Sequence, residues 1–189
     1  MRILCASIAV VVVTVTGCLA APAPVDIQHS TLTIRVFKSG IFSGFAHDHA
    51  ITAPLSSGTV DRERLSVEVH FEAGKLKVMD PDASVADRAK VQETMLSDKV
   101  LDVARFPEIG FTSRSVKVSG NAFLVDGDLT LHGVTRAMTF PVLLRDGHYT
   151  ATLRLKQSEF GITPISLAGG SVKVKDVVEI SFDIVLLER

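Results

Sequence analysis

The chain has 189 residues, with 20 Lys and Arg against 21 Asp and Glu, and 47% of its residues are hydrophobic. This is the length of one domain or at most two small ones, and the composition excludes a fibrous or largely disordered protein. The near-neutral charge gives no electrostatic basis for binding nucleic acid. The only cysteines, Cys5 and Cys18, leave neither a disulfide framework nor a thiolate metal site in the body of the chain.

The amino terminus is predicted to be a signal peptide over residues 1–17. A short positive start is followed by an apolar run over residues 3–15, which is too short to cross a bilayer comfortably. Val15-Thr16-Gly17-Cys18 resembles a bacterial lipobox, which predicts cleavage before Cys18 and lipidation of Cys18. Ordinary signal-peptidase cleavage within residues 19–23 and an uncleaved anchor are the alternatives. Each alternative predicts export.

Residues 18–25 are small and proline-rich, and are predicted to form a tether to a single domain over residues 26–189. In that domain apolar and polar residues alternate repeatedly, which is typical of half-buried β-strands. The predicted strands, in chain order, cover residues 31–37, 65–71, 75–79, 109–113, 115–119, 122–126, 128–132, 138–144, 149–155, 171–175 and 178–186.

Turn signals separate these strands, among them Asp126-Gly127 and Asp146-Gly147. Tight turns predict consecutive antiparallel pairing, so the fold class is all-β, with about eight to ten strands in a barrel or sandwich. Closure into a barrel is favoured because it removes exposed strand edges. Ser84-Val85-Ala86-Asp87 resembles a capping box and predicts a helix over residues 84–96, with a second helical turn over 98–103.

His47-Asp48-His49 is the most metal-like sequence in the chain. In an extended segment, histidines at positions i and i+2 point to the same side and can share one ion. A site needs at least one more ligand, and the candidates are His29, His70, His132, Asp61 and Asp80. A polar cluster at a loop or barrel rim is the favoured interpretation, and a metal site or metal-dependent enzyme built on His47 and His49 is the alternative.

Enzyme motifs are missing from the sequence. There is no Gly-x-Ser-x-Gly elbow, no dinucleotide-binding glycine motif and no P-loop, so hydrolase, dehydrogenase and NTPase functions lose support. His132 is expected to satisfy backbone groups in a turn, because a general acid or base needs a partner and a substrate bond within reach.

Three stretches resemble motifs of one protein family. Residues 101–113, LDVARFPEIGFTS, resemble F-D-V-x-x-Y/F-P-x-I-x-F-x-S; residues 129–135, LTLHGVT, resemble L-T-L-H-G-V-T; and residues 158–162, SEFGI, resemble S-D-F-G-I. These motifs, in this order, are those of the YceI-like, or polyisoprenoid-binding, proteins. The resemblance runs from about Asp26 to the carboxyl terminus.

The resemblance implies a lipocalin-like antiparallel β-barrel of about eight strands with one short helical insertion at its mouth. It also implies an elongated apolar cavity for an isoprenoid chain, such as a polyprenyl lipid or a quinone tail, and no catalytic group or other cofactor. The bacterial periplasm is the implied location, with lipidated Cys18 as an additional membrane tether.

Inward-facing positions of the alternating strands are predicted to form the cavity wall. They are Phe71, Phe111, Phe123, Phe140, Leu153, Phe182 and Ile184. Another hypothesis treats these residues as packing alone, so that a filled barrel acts as an interaction module for a membrane partner. Association of two barrels into a homodimer is left open by the sequence.

Overall fold

The computed structural model describes residues 21–39, 48–167 and 172–187, and this part of the chain holds twelve β-strands and one α-helix. The strands are β1 (Ala23–Pro24), β2 (Thr31–Ser39), β3 (His49–Thr52), β4 (Leu55–Asp61), β5 (Ser66–Glu72), β6 (Lys77–Val78), β7 (Glu108–Ser119), β8 (Ala122–Leu131), β9 (Val134–Arg145), β10 (His148–Lys156), β11 (Ser166–Leu167) and β12 (Val172–Val185). The helix is α1 (Val85–Leu96), and short 3₁₀ turns cover Ala73–Lys75 and Gln157–Phe160.

The long strands follow one another round a ring of antiparallel pairs. β3 and β4 act as one strand bent at Pro54, because β3 pairs with β2 and β4 pairs with β5. From β5 the ring continues through β7, β8, β9 and β10 to β12. β12 pairs with β2, and β2 pairs with β3, so the curled sheet returns to the bent strand formed by β3 and β4. With β3 and β4 counted together, the ring has eight strands, so the predicted all-β barrel is confirmed.

The segment around β1 completes this closure where β2 and β4 diverge. The Val25 amide donates to the Gly58 carbonyl at 2.9 Å, and the Asp26 amide donates to the Val185 carbonyl at 2.8 Å. The Pro24 carbonyl accepts from the Leu187 amide at 3.0 Å. The described end of the predicted tether is therefore part of the barrel, which begins at Ala23 and not at Asp26. Proline-rich composition indicated a linker, but extended backbone next to a proline can still pair.

The Asp126-Gly127 turn predicted from sequence is wrong. Gly127 lies inside β8, paired with β7, and an ideal Cβ on it would lie 2.5 Å from Phe111 Cζ. Glycine is needed here for close approach of the two strands and not for a turn. β7 is likewise one strand, with a bulge between Ser113 and Ser115 where the sequence predicted two strands.

The hairpins on either side of β9 have the expected turn chemistry. Asp146 and Gly147 both have positive φ, 52° and 84°, as do His132 and Gly133, 52° and 70°. Two consecutive positive φ values are typical of type I′ turns, which match the twist of antiparallel strands.

α1 confirms the predicted helix. Ser84 is its N-cap, and its hydroxyl oxygen accepts the Asp87 amide at 3.1 Å. Residues 98–103 form turns and no second helix. Gln92 attaches α1 to the sheet, since its Oε1 accepts the Val78 amide and its Nε2 donates to the Leu76 carbonyl, both at 2.8 Å. None of the helical segments described is long and apolar enough to span a membrane.

Candidate functional site: two adjoining chambers

The inward face of the barrel encloses a cavity of about 830 Å³, which we call the barrel chamber. Its wall is almost entirely apolar, and polar residues are confined to a few positions such as Asp61, Arg62 and Asp146. Voids larger than a water molecule are rare in close-packed interiors, so a space of this size is not an ordinary packing defect. It falls in the volume range of small-molecule pockets.

All seven residues predicted as wall positions line the barrel chamber: Phe71, Phe111, Phe123, Phe140, Leu153, Phe182 and Ile184. Their contact with a ligand stays a prediction. The aromatic rings form a connected wall, with Phe140 centred 5.4 Å from Phe111 and 6.2 Å from Phe182. Tyr149 was not among the predicted wall residues, and its ring is centred 5.9 Å from that of Phe123. Tyr149 lies on the same face of β10 as Leu153, four residues away, and this period of two could have identified it as a wall residue.

A second cavity of about 580 Å³ lies between the barrel and α1, and we call it the helix chamber. The barrel contributes residues such as Val36, Leu155 and Val178 to its wall. α1 contributes Asp87, Lys90, Val91, Thr94 and Met95, whose spacing of three and four residues places them on one helix face. The family resemblance implied a helix at the mouth of the barrel, but the helix residues that face the cavity were not predicted.

The two chambers share part of their wall. Leu32, Phe71, Leu129 and Ile180 line both. Along β12 the inward residues pass from Phe182 in the barrel chamber through Ile180 to Val178 in the helix chamber. The chambers therefore lie one after the other along the strands. The wall positions of β12 run from Lys173 to Ile184, a stretch of strand that extends over roughly 36 Å.

His49 faces the helix chamber and is paired with Asp80. Its Nδ1 lies 2.6 Å from Asp80 Oδ2, and Asp80 is only 3% exposed. His47, the other half of the proposed metal pair, lies outside the described residues. No group of three or more His, Cys, Asp or Glu side chains within the described ranges could hold a metal ion.

The other candidate ligands have separate partners. His29 Nδ1 contacts Asp26, His70 Nε2 contacts Glu68, and the Asp61 carboxylate accepts the Glu63 and Arg64 amides. Of the five candidates, the structure brings only Asp80 to His49.

His132 serves the backbone, as expected. It lies in the turn between β8 and β9, and its Nδ1 lies 3.1 Å from the Phe160 carbonyl oxygen. Its ring packs against Phe106 with centroids 4.5 Å apart. The two family motifs that contain His132 and Phe160 thus meet in space.

Two carboxyl groups on the outside of the barrel have lowered pKa values. The hydrogen bond from Arg114, supported by one from Thr139, lowers the pKa of Asp126. The Ser158 hydroxyl and amide lower the pKa of Asp176 in the same way. These hydrogen-bonded groups are structural, because none of the five residues lines either chamber.

An eight-stranded antiparallel barrel with an apolar interior and a helix over one end defines a lipocalin-like fold. A family model described as the YceI-like domain matches residues 24–186. The chain belongs to the YceI-like family.

Named relatives agree with this assignment. The chain is 25% identical over 169 residues to Protein YceI of Salmonella arizonae, covering 81% of each chain. It is 35% identical over 103 residues to a UPF0312 protein of Pseudomonas putida, a match that covers 48% of this chain. The chain spans about half the length of that relative, 54%.

Solved structures share the fold. BcnA of Burkholderia cenocepacia has a TM-score of 0.61 at 19% identity, over 85% of this chain and 98% of that chain. A polyisoprenoid binding domain from Saccharophagus degradans has a TM-score of 0.60 at 16% identity, over 87% of this chain and 97% of that one.

Proposed function

We propose that this protein is an exported, non-enzymatic binding protein that sequesters or carries an isoprenoid or similar apolar lipid, such as a polyprenyl lipid or a quinone. The observation that carries the proposal is the barrel chamber, a cavity of about 830 Å³ with an apolar, aromatic wall. The structural neighbour described as a polyisoprenoid binding domain supports the same class of ligand.

The energetic basis is the hydrophobic effect. A long prenyl tail is insoluble in water, and removing its surface from solvent contributes about 25 cal/mol per Å² of apolar area. The helix chamber extends the apolar wall beyond the barrel chamber, so a long tail can be covered along much of its length. A barrel acting only as a filled interaction module would need no such empty interior.

Export is the second part of the proposal and rests on residues 1–17 and Cys18, which lie outside the described residues. The expected location is the bacterial periplasm, with Cys18 lipidated and the protein held at the membrane. Intact mass of the mature protein tests this, together with fractionation of Cys18→Ser. A mature chain without lipid at Cys18 contradicts the lipoprotein assignment but leaves ordinary export intact.

The test of binding is native mass spectrometry of the protein purified from its own cell envelope, followed by organic extraction and metal analysis of the same sample. We expect a stoichiometric prenyl lipid or quinone. An empty barrel with stoichiometric zinc or iron would overturn the carrier function and redirect attention to His47 and His49.

A further inference from the structure

The helix chamber carries an excess of cations. Lys90, Lys99 and Lys173 line it, and Asp87 is the one carboxylate among its described wall residues. Lys90 comes from α1, Lys99 from the turns after it, and Lys173 from β12, so three separate segments contribute a lysine to the wall of one cavity. The barrel chamber has a different balance, with Asp61 and Asp146 against Arg62.

These three lysines are exposed, and no carboxylate in the described part of the chain pairs with them. None of them forms an ion pair there, whereas Lys75 on the outer surface pairs with Glu72 at 2.8 Å. The Asp87 carboxylate accepts the Ser84 hydroxyl at 2.7 Å, and three lysines against this one carboxylate leave the described wall with an excess of positive charge. The chamber thus combines an apolar wall with cations that lack a partner.

His49 adds a directed polar group to the same chamber. The Asp80 carboxylate can only accept, so His49 Nδ1 donates to Oδ2, and Oδ1 accepts the Ala50 amide at 2.7 Å. This arrangement holds the imidazole in one orientation. His49 Nε2 has no partner in the described residues and is the ring atom left for a ligand.

We propose that the helix chamber is the head-group end of the binding site and that the ligand is an amphiphile with an anionic head, a phosphate or a carboxylate. Lys90, Lys99 and Lys173 neutralise the head, and His49 Nε2 forms a hydrogen bond to it. A lysine ammonium is a compact charge suited to oxyanions. The inference rests on the proposed function, in which the barrel chamber holds the apolar tail.

The test compares three ligands with one tail: geranylgeraniol, geranylgeranic acid and geranylgeranyl phosphate, each titrated into the mature protein after extraction of any lipid bound in its chambers. At low ionic strength we expect at least one anionic ligand to bind roughly tenfold tighter than the alcohol, with the advantage shrinking as salt is added. Preference for the phosphate indicates a prenyl phosphate, and preference for the acid indicates a fatty-acid-like ligand. Equal binding of all three overturns this inference and leaves the proposed function standing. Binding of none contradicts the proposed function itself.

Lysine variants locate the preference. Each exposed charge contributes modestly, so the three substitutions Lys90→Met, Lys99→Met and Lys173→Met are combined in one variant. In this variant the affinities for the three ligands should lie within about twofold of one another. Lys117→Met, on the outside of β7, removes one charge away from both chambers and should keep the preference. Each single chamber variant is compared with Lys117→Met, and circular dichroism checks that all of them fold. Retention of the full preference in the combined variant overturns the proposal.

Imidazole ¹⁵N spectra test His49 independently of affinity. Saturation with the preferred anionic ligand should shift the His49 Nε2 resonance and leave Nδ1 bonded to Asp80. Asp80→Asn should alter the His49 tautomer and reduce the preference, which identifies Asp80 as a positioning residue. A His49 Nε2 resonance that does not move on saturation overturns the role of His49.

Discussion

Gly127 lies at the centre of β8, where an ideal Cβ would be 2.5 Å from both Phe111 Cζ and the Thr112 carbonyl oxygen. The second contact is with backbone, which cannot turn away as a side chain can. Overpacking of this kind costs roughly 1–3 kcal/mol. We therefore expect Gly127→Ala to lower the free energy of unfolding by that amount in urea denaturation.

Gly74→Ala is the matched control, because nothing lies within 4 Å of a Cβ at that position. Its stability should stay close to that of the original chain. Equal stability of the two variants would contradict the close contact between β7 and β8.

Asp176 provides a test of pH dependence at a single residue. Hydrogen bonds from the Ser158 hydroxyl and amide, at 2.6 and 2.8 Å, lower its pKa in the folded state. The folded state then binds fewer protons than the unfolded state, so the stabilisation is present above the unfolded pKa and is lost as pH falls through the folded pKa.

Asp176→Asn should accordingly be less stable than the original chain at neutral pH, with the difference narrowing in acid. Urea midpoints measured from pH 7 downward check this. A difference that stays constant across that range would show that charge at Asp176 does not contribute.

At the scale of elements, Gln92 supplies two of the hydrogen bonds that attach α1 to the sheet side of the helix chamber, and Arg88 donates a third to the Asp80 carbonyl at 3.2 Å. Gln92→Leu removes two hydrogen bonds and leaves the Val78 amide and the Leu76 carbonyl without these partners. Leaving such partly buried groups unpaired costs roughly 1–3 kcal/mol each. We expect faster amide hydrogen exchange in α1 and faster release of a bound lipid.

Glu93→Gln is the control for this element, because Glu93 is the exposed neighbour of Gln92 and its side chain lines neither chamber. It should leave exchange in α1 unchanged. Unaltered exchange in Gln92→Leu would mean that the Arg88 hydrogen bond and apolar contacts are enough to hold the helix.

At the scale of the whole molecule, the shared wall determines which tail lengths fit. Leu129 lines both chambers, so Leu129→Trp should obstruct the passage between them. Long prenyl tails should then bind roughly tenfold or more weakly, while short tails confined to one chamber are affected less. A titration series of prenols of increasing length measures this selectivity.

Leu124→Trp is the control, since Leu124 is on the same strand but 45% exposed on the outside of the barrel. It should not alter selectivity for tail length. Loss of short and long tails to the same degree in Leu129→Trp would show that the ligand does not pass between the chambers.

Much of the barrel was predictable because its signals are local. Alternation along β12 placed Phe182 and Ile184 on the inner face, and the capping box located α1. Gly127 was misassigned because an Asp-Gly pair has the composition of a hairpin turn. Its true role depends on Phe111, a residue on the neighbouring strand.

The sequence by itself determined the strand alternation, the hairpin turns after β8 and β9 and the capped helix, because each depends on residues a few positions apart. Only the tertiary structure decided which distant residues meet. It brings Val25 between Gly58 and the end of β12 to close the barrel, and it places His49 and Lys173 in the wall of one chamber. Such contacts arise from strand pairing and closure, which no local pattern encodes.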